Sequence, residues 1–461
     1  MGATSDRGPG AISRRRLLTT AAVAAAGWAI GGRGSASAAS AASPGTGARP
    51  GSVRPAGSLP DPTRPAGTDL VPRIERIVVV MMENHSFDNI LGMLGRGDGL
   101  PLGAGGRPTA ACPDGHGGLV HAFHMPSDCQ TGGVSNAWDA GHLAYDGGTN
   151  RGFVEASSAE AMGYFLGTDV PFTWGLARTF PIADRWFSSV IGQTYPNRRY
   201  LLSGTSLGQV SDTYPVDLPP AGTVFDLLDR FGITWADYYS DLPSIGVYLP
   251  LLGRRSITDR MFGVARFYED AAAGRLPQFS LVEPNYSVQS EEDPQDVQYG
   301  DQFLAAVVGA VLGGPQWPGT LLIWTYDEWG GWYDHVPPPA AVPPDDVAPD
   351  LPPGSQPGTF ARYGFRVPAG VVSPYARRGY VSHVVRDHTS VLKTVERKWN
   401  LPALTRRDAN VPDVLDMVDL RSPPAFLRPP ALPAGADPGR SFGCLTAPAP
   451  RLPPPGARTG R

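Results

Sequence analysis

The sequence predicts an α/β fold, a mostly parallel β-sheet sandwiched by helices. Two long apolar runs, "IERIVVVMM" (74–82) and "GTLLIWTY" (319–326), lack the polar alternation of a half-exposed strand and suit strands buried on both faces. Strand-like and helix-like segments alternate along the chain, as in parallel sheets with crossover helices. Both apolar runs end in polar clusters, Glu83-Asn84-His85 and Asp327-Glu328. Ligands sit at the carboxyl ends of strands in open α/β sheets.

The chain has 461 residues. It opens on a targeting segment. Arg14-Arg15-Arg16-Leu17-Leu18 precedes a short apolar stretch, and Ala36-Ser37-Ala38 suits a cleavage site. Paired arginines ahead of leucines point to a twin-arginine signal peptide over 1–38, hence to export through the twin-arginine machinery to the cell envelope or exterior. The apolar stretch is too short to span a bilayer, and no later segment suffices, so no transmembrane segment is expected in the mature chain. Its removal takes away five arginines and one aspartate and moves the net charge from −4 to −8. With no basic stripe, this balance argues against nucleic acid as a partner. Residues 39–72, rich in Ala, Gly, Ser and Pro, read as a flexible linker.

The ordered domain spans 73–421. After its first strand, the glycine-rich stretch 95–118 is an excursion of loops. "AEAMGYF" (159–165) and "FTWGLARTF" (172–180) look helical. "TVFDLLDRFG" (223–232) is an amphipathic helix stopped by glycine, with strand "ITWADYYS" (233–240) behind it. "PQFSLVEP" (277–284) is a strand, and "GDQFLAAVVGAVLGG" (300–314) a helix. The strand over 319–326 follows, then a surface loop (341–358), strand "FRVPAGVVSP" (365–374) and helix "HTSVLKTVERKW" (388–399), with Thr389 or Ser390 near its cap. Residues 422–461 form a Pro/Ala-rich, loosely ordered tail. Outside the cytoplasm, Cys112 and Cys129 could close a small loop, leaving Cys444 over.

Glu83, Asn84, Asp327 and Glu328 end two strands far apart in sequence. Carboxylate and amide oxygens favour one hard divalent ion, Ca²⁺, Mg²⁺ or Mn²⁺. A competing explanation has each pair cap its own loop. Ser86 and Asp88 suit a helix start. His116, His121 and His124 share a loop and are weaker candidates for a second metal site.

Several motifs in order carry a resemblance: "ENHSFDNILG" (83–92), "NAWDAGHLAYDGG" (136–148), "GQTYPNR" (192–198), "DEWGGWYDHV" (327–336), "RVPAGVVSPYA" (366–376) and "DHTSVLKTVERKW" (387–399). The chain resembles the phosphoesterase family of bacterial phospholipases C and acid phosphatase A, within the alkaline-phosphatase-like superfamily. That resemblance implies an alkaline-phosphatase-like fold and hydrolysis of phosphodiesters or phosphomonoesters, with a phospholipid or small phosphoester as substrate. It implies metal binding by Glu83, Asn84, Asp327 and Glu328, a Thr194 nucleophile forming a phospho-threonine, and His142, His335 and His388 lining the phosphate pocket. Pro196 suits the first turn of a helix, which would put Thr194 at a helix N-terminus, where phosphate is attracted. The chain departs from the family at "EEDPQD" (291–296), where relatives often carry histidine; Glu292 and Asp293 there could form an added acid or cation site.

A different hydrolase is also conceivable. "GTSLG" (204–208) fits a G-x-S-x-G nucleophile elbow, and "HGGL" (116–119) an oxyanion loop, which would make Ser206 the nucleophile of a secreted lipase or esterase. An inactive surface-binding protein is a third class, disfavoured by the intact metal and nucleophile motifs.

Overall fold

The structure, a computed structural model, describes residues 53–214, 217–438 and 444. The signal peptide, the first part of the linker and most of the last two dozen residues lie outside the described residues. The core is an eight-stranded sheet formed by β1 (Arg76–Met82), β2 (Ile182–Ala183), β3 (Trp235–Tyr239), β4 (Met261–Gly263), β5 (Phe279–Val282), β6 (Thr320–Tyr326), β7 (Ala369–Val372) and β8 (Val381–Ser382). Its spatial order is β8-β2-β7-β6-β1-β5-β3-β4. Only β7 runs against its neighbours. The sheet is therefore mostly parallel, as expected.

The two apolar runs become the two central strands. All seven residues of β6 are buried, and so are all of β1 but Arg76, so both sheet faces are covered. Helix Val297–Gly313 packs on helices Pro171–Thr179 and Val264–Ala272. A second group brings Thr389–Trp399 against Thr194–Ser203 and Arg406–Asn410. Among the described residues no helix is long and apolar enough to cross a membrane.

Several local expectations change. "AEAMGYF" makes one 3₁₀ turn, Ala159–Met162, and then a two-residue strand, because Asn89 claims its backbone: Asn89 Nδ2 donates to the Gly163 carbonyl and the Phe165 N–H to the Asn89 carbonyl, at 2.9 and 2.8 Å. The N-cap of helix Thr389–Trp399 is His388 and Thr389 opens the helix, next to the cap as expected; Asp387 Oδ1 accepts both the N–H and the hydroxyl of Thr389. Cys129 bonds Cys444, with Cα atoms 5.2 Å apart, whereas Cys112 is a buried free thiol in a short strand pair; the proposed Cys112–Cys129 loop does not form.

Residues 54–70, expected within the linker, lie on the domain instead. Asn400 closes helix Thr389–Trp399 at a φ of 48°. Its Nδ2 donates to the carbonyls of Asp61, Arg64 and Pro65, and its Oδ1 accepts from the Asp61 N–H. The start of the tail is also anchored: Trp317 Nε1 donates to the Phe426 carbonyl at 3.0 Å and the Ala436 N–H to Asp301 at 2.9 Å. Polar backbone without side-chain periodicity found specific partners here. Asn400→Ala should therefore lower stability by about 2–4 kcal/mol and open the 54–70 segment to proteolysis, measured by thermal unfolding and limited digestion.

Candidate active site

The parallel pairing of β1 and β6 puts Met82 opposite Tyr326, so Glu83 and Asn84 leave the sheet beside Asp327 and Glu328. The backbones stay tied beyond the strands. Asp327 N–H donates to the Met82 carbonyl at 3.0 Å, and Asn84 N–H to Asp327 Oδ1 at 3.1 Å. All four side chains are buried. Asn84 adopts a φ of 62°, a left-handed conformation Asn tolerates better than most residues. The double glycine of "DEWGG" admits this crowding: at Gly330, φ 66°, a Cβ would stand 2.1 Å from the Asn84 carbonyl oxygen.

Thr194 is the first residue of helix Thr194–Ser203, with Pro196 in its first turn as expected. Its hydroxyl donates to Glu83 Oε2 at 3.4 Å. Asp212 Oδ1 accepts the next N–H, that of Tyr195, at 2.7 Å. One turn further along the same helix face stands Arg198. Its Nη2 and Nε donate to Glu83 Oε1 at 2.8 and 3.2 Å, and its Nε lies 3.3 Å from Asp327 Oδ2. That Asp327 oxygen has no hydrogen bond. Glu328 Oε1 accepts from Asn136 Nδ2 at 2.7 Å and its Oε2 from the Gly330 N–H at 2.8 Å.

The electrostatics are lopsided. Burial, then the charge of Asp327, raises Glu83 well above the ordinary carboxylate range, against the pull of Arg198. Burial and Asp327 raise Glu328 likewise. Glu292, from the divergent segment, is pushed up to about 8 by burial and by the charges of Asp293 and Asp327; burial and Glu160 push Asp293 to about 7. Carboxyl groups thus outnumber the one guanidinium that serves them. An all-oxygen donor set with a buried carboxylate oxygen that accepts no hydrogen bond fits a hard cation. Glu83 and Asp327 meet at Arg198 rather than at one shared point. Among the described residues, the groups of three potential ligands within 4.8 Å are Asp88-Asp334-His335 and Cys129-Asp296-Cys444.

The histidines separate. His388, fully buried, sets Nε2 against the Asp327 carbonyl oxygen and Nδ1 against the Trp186 indole N–H at 3.4 Å. The proton therefore sits on Nε2, and burial lowers its pKa. It braces Asp327 from behind. His335 Nδ1 is 2.6 Å from Asp88 Oδ2, and its Nε2 is 3.3 Å from Asp98 Oδ1. Burial disfavours its cation, but the hydrogen bond and charge of Asp88 outweigh that and raise its pKa. Asp88, expected only at a helix start, also binds Arg366, which binds Asp334. His142 gives Nδ1 to the Trp138 carbonyl at 2.8 Å and packs on the Trp138 ring. From its motif it is Asn136 that reaches the acidic cluster. Arg198 and Asn136 were both inside recognised motifs yet went unassigned; the four-residue spacing of Thr194 and Arg198 is the signal that could have found Arg198.

Other candidates resolve differently. His85 is a core residue between Asn89 and the Glu291 carbonyl, lowered to about 4 by burial. His124 pairs with Asp169 at 2.7 Å, and His116 and His121 do not join it in a three-ligand group. Ser206 is fully buried in the loop after helix Thr194–Ser203. A nucleophile elbow needs a strand-to-helix turn, so the esterase reading loses its structural basis.

Residues 74–402 match the Phosphoesterase family. The chain is 30 % identical to non-specific phospholipase C6 of Arabidopsis thaliana over 78 % of this chain and 75 % of that protein. It is 32 % identical to the same plant's non-specific phospholipase C1 over 73 % and 69 %. It is 29 % identical to phospholipase C A of Mycobacterium tuberculosis over 77 % and 79 %. Similar solved structures include an alkaline phosphatase superfamily protein from Vibrio parahaemolyticus, at 12 % identity and a TM-score of 0.40 over 76 % of this chain and 74 % of that one.

Two outcomes follow from the geometry. Gly330→Ala should destabilise the protein by several kcal/mol, since both its φ and the Asn84 carbonyl oppose a side chain; thermal unfolding measures it. Asp88→Asn should lower the pKa of His335, because the carboxylate is what favours the imidazolium; an NMR titration of the ring would register the shift.

Proposed function

We propose that this chain, which belongs to the Phosphoesterase family and is a hydrolase of phosphoric ester bonds, is an exported, metal-dependent phospholipase C-type enzyme working through a phospho-threonine. The observation that carries the reading is the hydroxyl of Thr194, at the first residue of a helix and 3.4 Å from Glu83 Oε2, beside the buried carboxyl groups that follow two strands. The phospholipid substrate is argued from relatives named phospholipase C. Export rests on the arginine pair and leucines of 14–18, and the twin-arginine machinery is the partner it implies.

Glu83, Asn84, Asp327 and Glu328 are the residues that would hold the ion. A hard divalent cation there would neutralise phosphate oxygens and ease ionisation of the Thr194 hydroxyl. Thr194 Oγ, its proton released to water, then attacks phosphorus in line, the ester bond to the leaving alcohol breaks, and the phosphoryl group passes to Thr194 with its remaining ester still attached. His335, held toward its cation by Asp88, is assigned the proton for the leaving oxygen. Water hydrolyses the phospho-threonine, which returns Thr194 and releases the phosphorylated product. His388 acts through the Asp327 backbone and His142 through its packing on Trp138, so this reading gives the chemistry to Thr194 and His335.

Purified protein supplied with Mg²⁺, Ca²⁺ or Mn²⁺ should cleave phosphatidylcholine and a chromogenic phosphodiester faster than a phosphomonoester. The reverse order would make it a non-specific acid phosphatase, and no turnover of any would sink the proposal. Thr194→Val, which removes the oxygen and keeps the branched shape, should cost about a thousandfold or more in kcat, while Thr194→Ser keeps part of the rate. Glu83→Ala and Asp327→Ala should each lose bound metal by elemental analysis.

A further inference from the structure

We infer that Glu283 and Asp237 form a protonated acid pair that holds Arg198, making Glu283 a positioning residue that fixes which oxygen of Glu83 faces Thr194. This rests on the reading of Thr194 and Glu83 given above.

Glu283 ends β5, next to β1, and is fully buried. Its oxygens are saturated from one side. The Ser244 N–H donates to Oε1 and Oε2 at 2.8 and 2.9 Å, the Ser244 hydroxyl donates to Oε2, and the Tyr286 hydroxyl donates to Oε2 at 2.5 Å. Three donors, the Ser244 N–H shared between both oxygens, and a single nearby cation describe a carboxylate. That cation is Arg198, whose Nη1 lies 3.7 Å from Glu283 Oε2 and donates to the Ser244 hydroxyl oxygen at 2.7 Å. Ser244 thus relays between them, and the guanidinium carbon stacks over the Tyr286 ring at 4.9 Å. The far edge of the same guanidinium takes Glu83 Oε1, which leaves Glu83 Oε2 toward Thr194. With its fork held at both ends, Arg198 cannot rotate without breaking one set of bonds.

Asp237 lies on β3, the strand beside β5, and is fully buried with neither carboxyl oxygen accepting a bond. A carboxylate in that state would be costly. The side chain meets Glu283, and burial and then the charge of Glu283 raise it well above the ordinary range. A neutral Asp237 resolves both facts: its O–H donates to Glu283, adding to the acceptor's bonds without adding charge. The pair then carries one negative charge, matched to Arg198.

The substitutions separate charge from shape. Glu283→Gln keeps the size and an acceptor for the Ser244 N–H but removes the charge facing Arg198. With the chromogenic phosphodiester, its kcat should fall about tenfold or more with KM little changed. Asp237→Asn supplies an N–H donor where the acid supplies O–H, so it should stay within about twofold of wild type. Ser244→Ala removes only the relay and should lower kcat about threefold or more; it decides the matter if Glu283→Gln does not fold. Hydrogen exchange at Arg198 Nε–H, followed by NMR, gives a readout independent of turnover. It should quicken in Glu283→Gln and Ser244→Ala and stay slow in Asp237→Asn. Equal exchange in all of them overturns the assignment whatever ester the protein cleaves, as does an Asp237→Asn that loses as much as Glu283→Gln. A wild type inactive on every ester would instead overturn the reading of Thr194.

Discussion

The register of β1 against β6 is the constraint on which the rest depends. It sets Glu83 and Asn84 beside Asp327 and Glu328 just beyond the carboxyl ends of the two central strands, where all four side chains are buried. Moving a carboxylate into such a place costs several kcal/mol even after relaxation. A guanidinium at about 4 Å returns on the order of 4 kcal/mol per contact at an effective dielectric of about 20. Arg198 contacts both Glu83 and Asp327, but Asp327 Oδ2 gains only that ion pair and no hydrogen bond, and Glu328 relies on neutral donors. The arrangement is costly as protein alone and becomes reasonable as a receptor for positive charge.

The neighbouring elements fit around that cost. Helix Thr194–Ser203 brings a hydroxyl and a guanidinium to the cluster from one face, four residues apart. The glycines after Glu328 let the chain turn against Asn84. His388 fixes the Asp327 backbone, while the Asp88-Arg366-Asp334 network holds His335 at a half-buried position. Two charge systems therefore coexist. One is rigid and fully buried; the other keeps a histidine with some access to solvent.

Much of this could be read from the sequence, and for identifiable reasons. Long unbroken apolar runs mark central strands, so β1, β6 and the polar clusters behind them were visible. The two-residue strands β2 and β8 and the three-residue β4 are too short for any periodicity to register. Glu83, Asn84, Asp327, Glu328 and Thr194 were singled out by spacing and by family resemblance; Glu83 touches both Thr194 and Arg198, and Asp327 meets the same Arg198. The histidines were chosen by the same resemblance, but a motif does not say which nitrogen is already used: His142 and His388 spend theirs on backbone carbonyls. Cys129 finds a partner 315 residues away, which no local spacing could reveal. Asn400 and Trp317 anchor segments that composition alone describes as loose.

Besides the strand-end cluster, the described residues hold a three-ligand group at Asp88-Asp334-His335 that could attract a divalent ion. In that group, Arg366 already binds both aspartates. Anomalous diffraction from a crystal of the protein loaded with Mn²⁺ distinguishes them directly. The account predicts one strong peak in contact with carboxylate oxygens of Glu83 and Asp327, beside the Thr194 hydroxyl. A peak at Asp88 and His335 with none at the strand ends would contradict it.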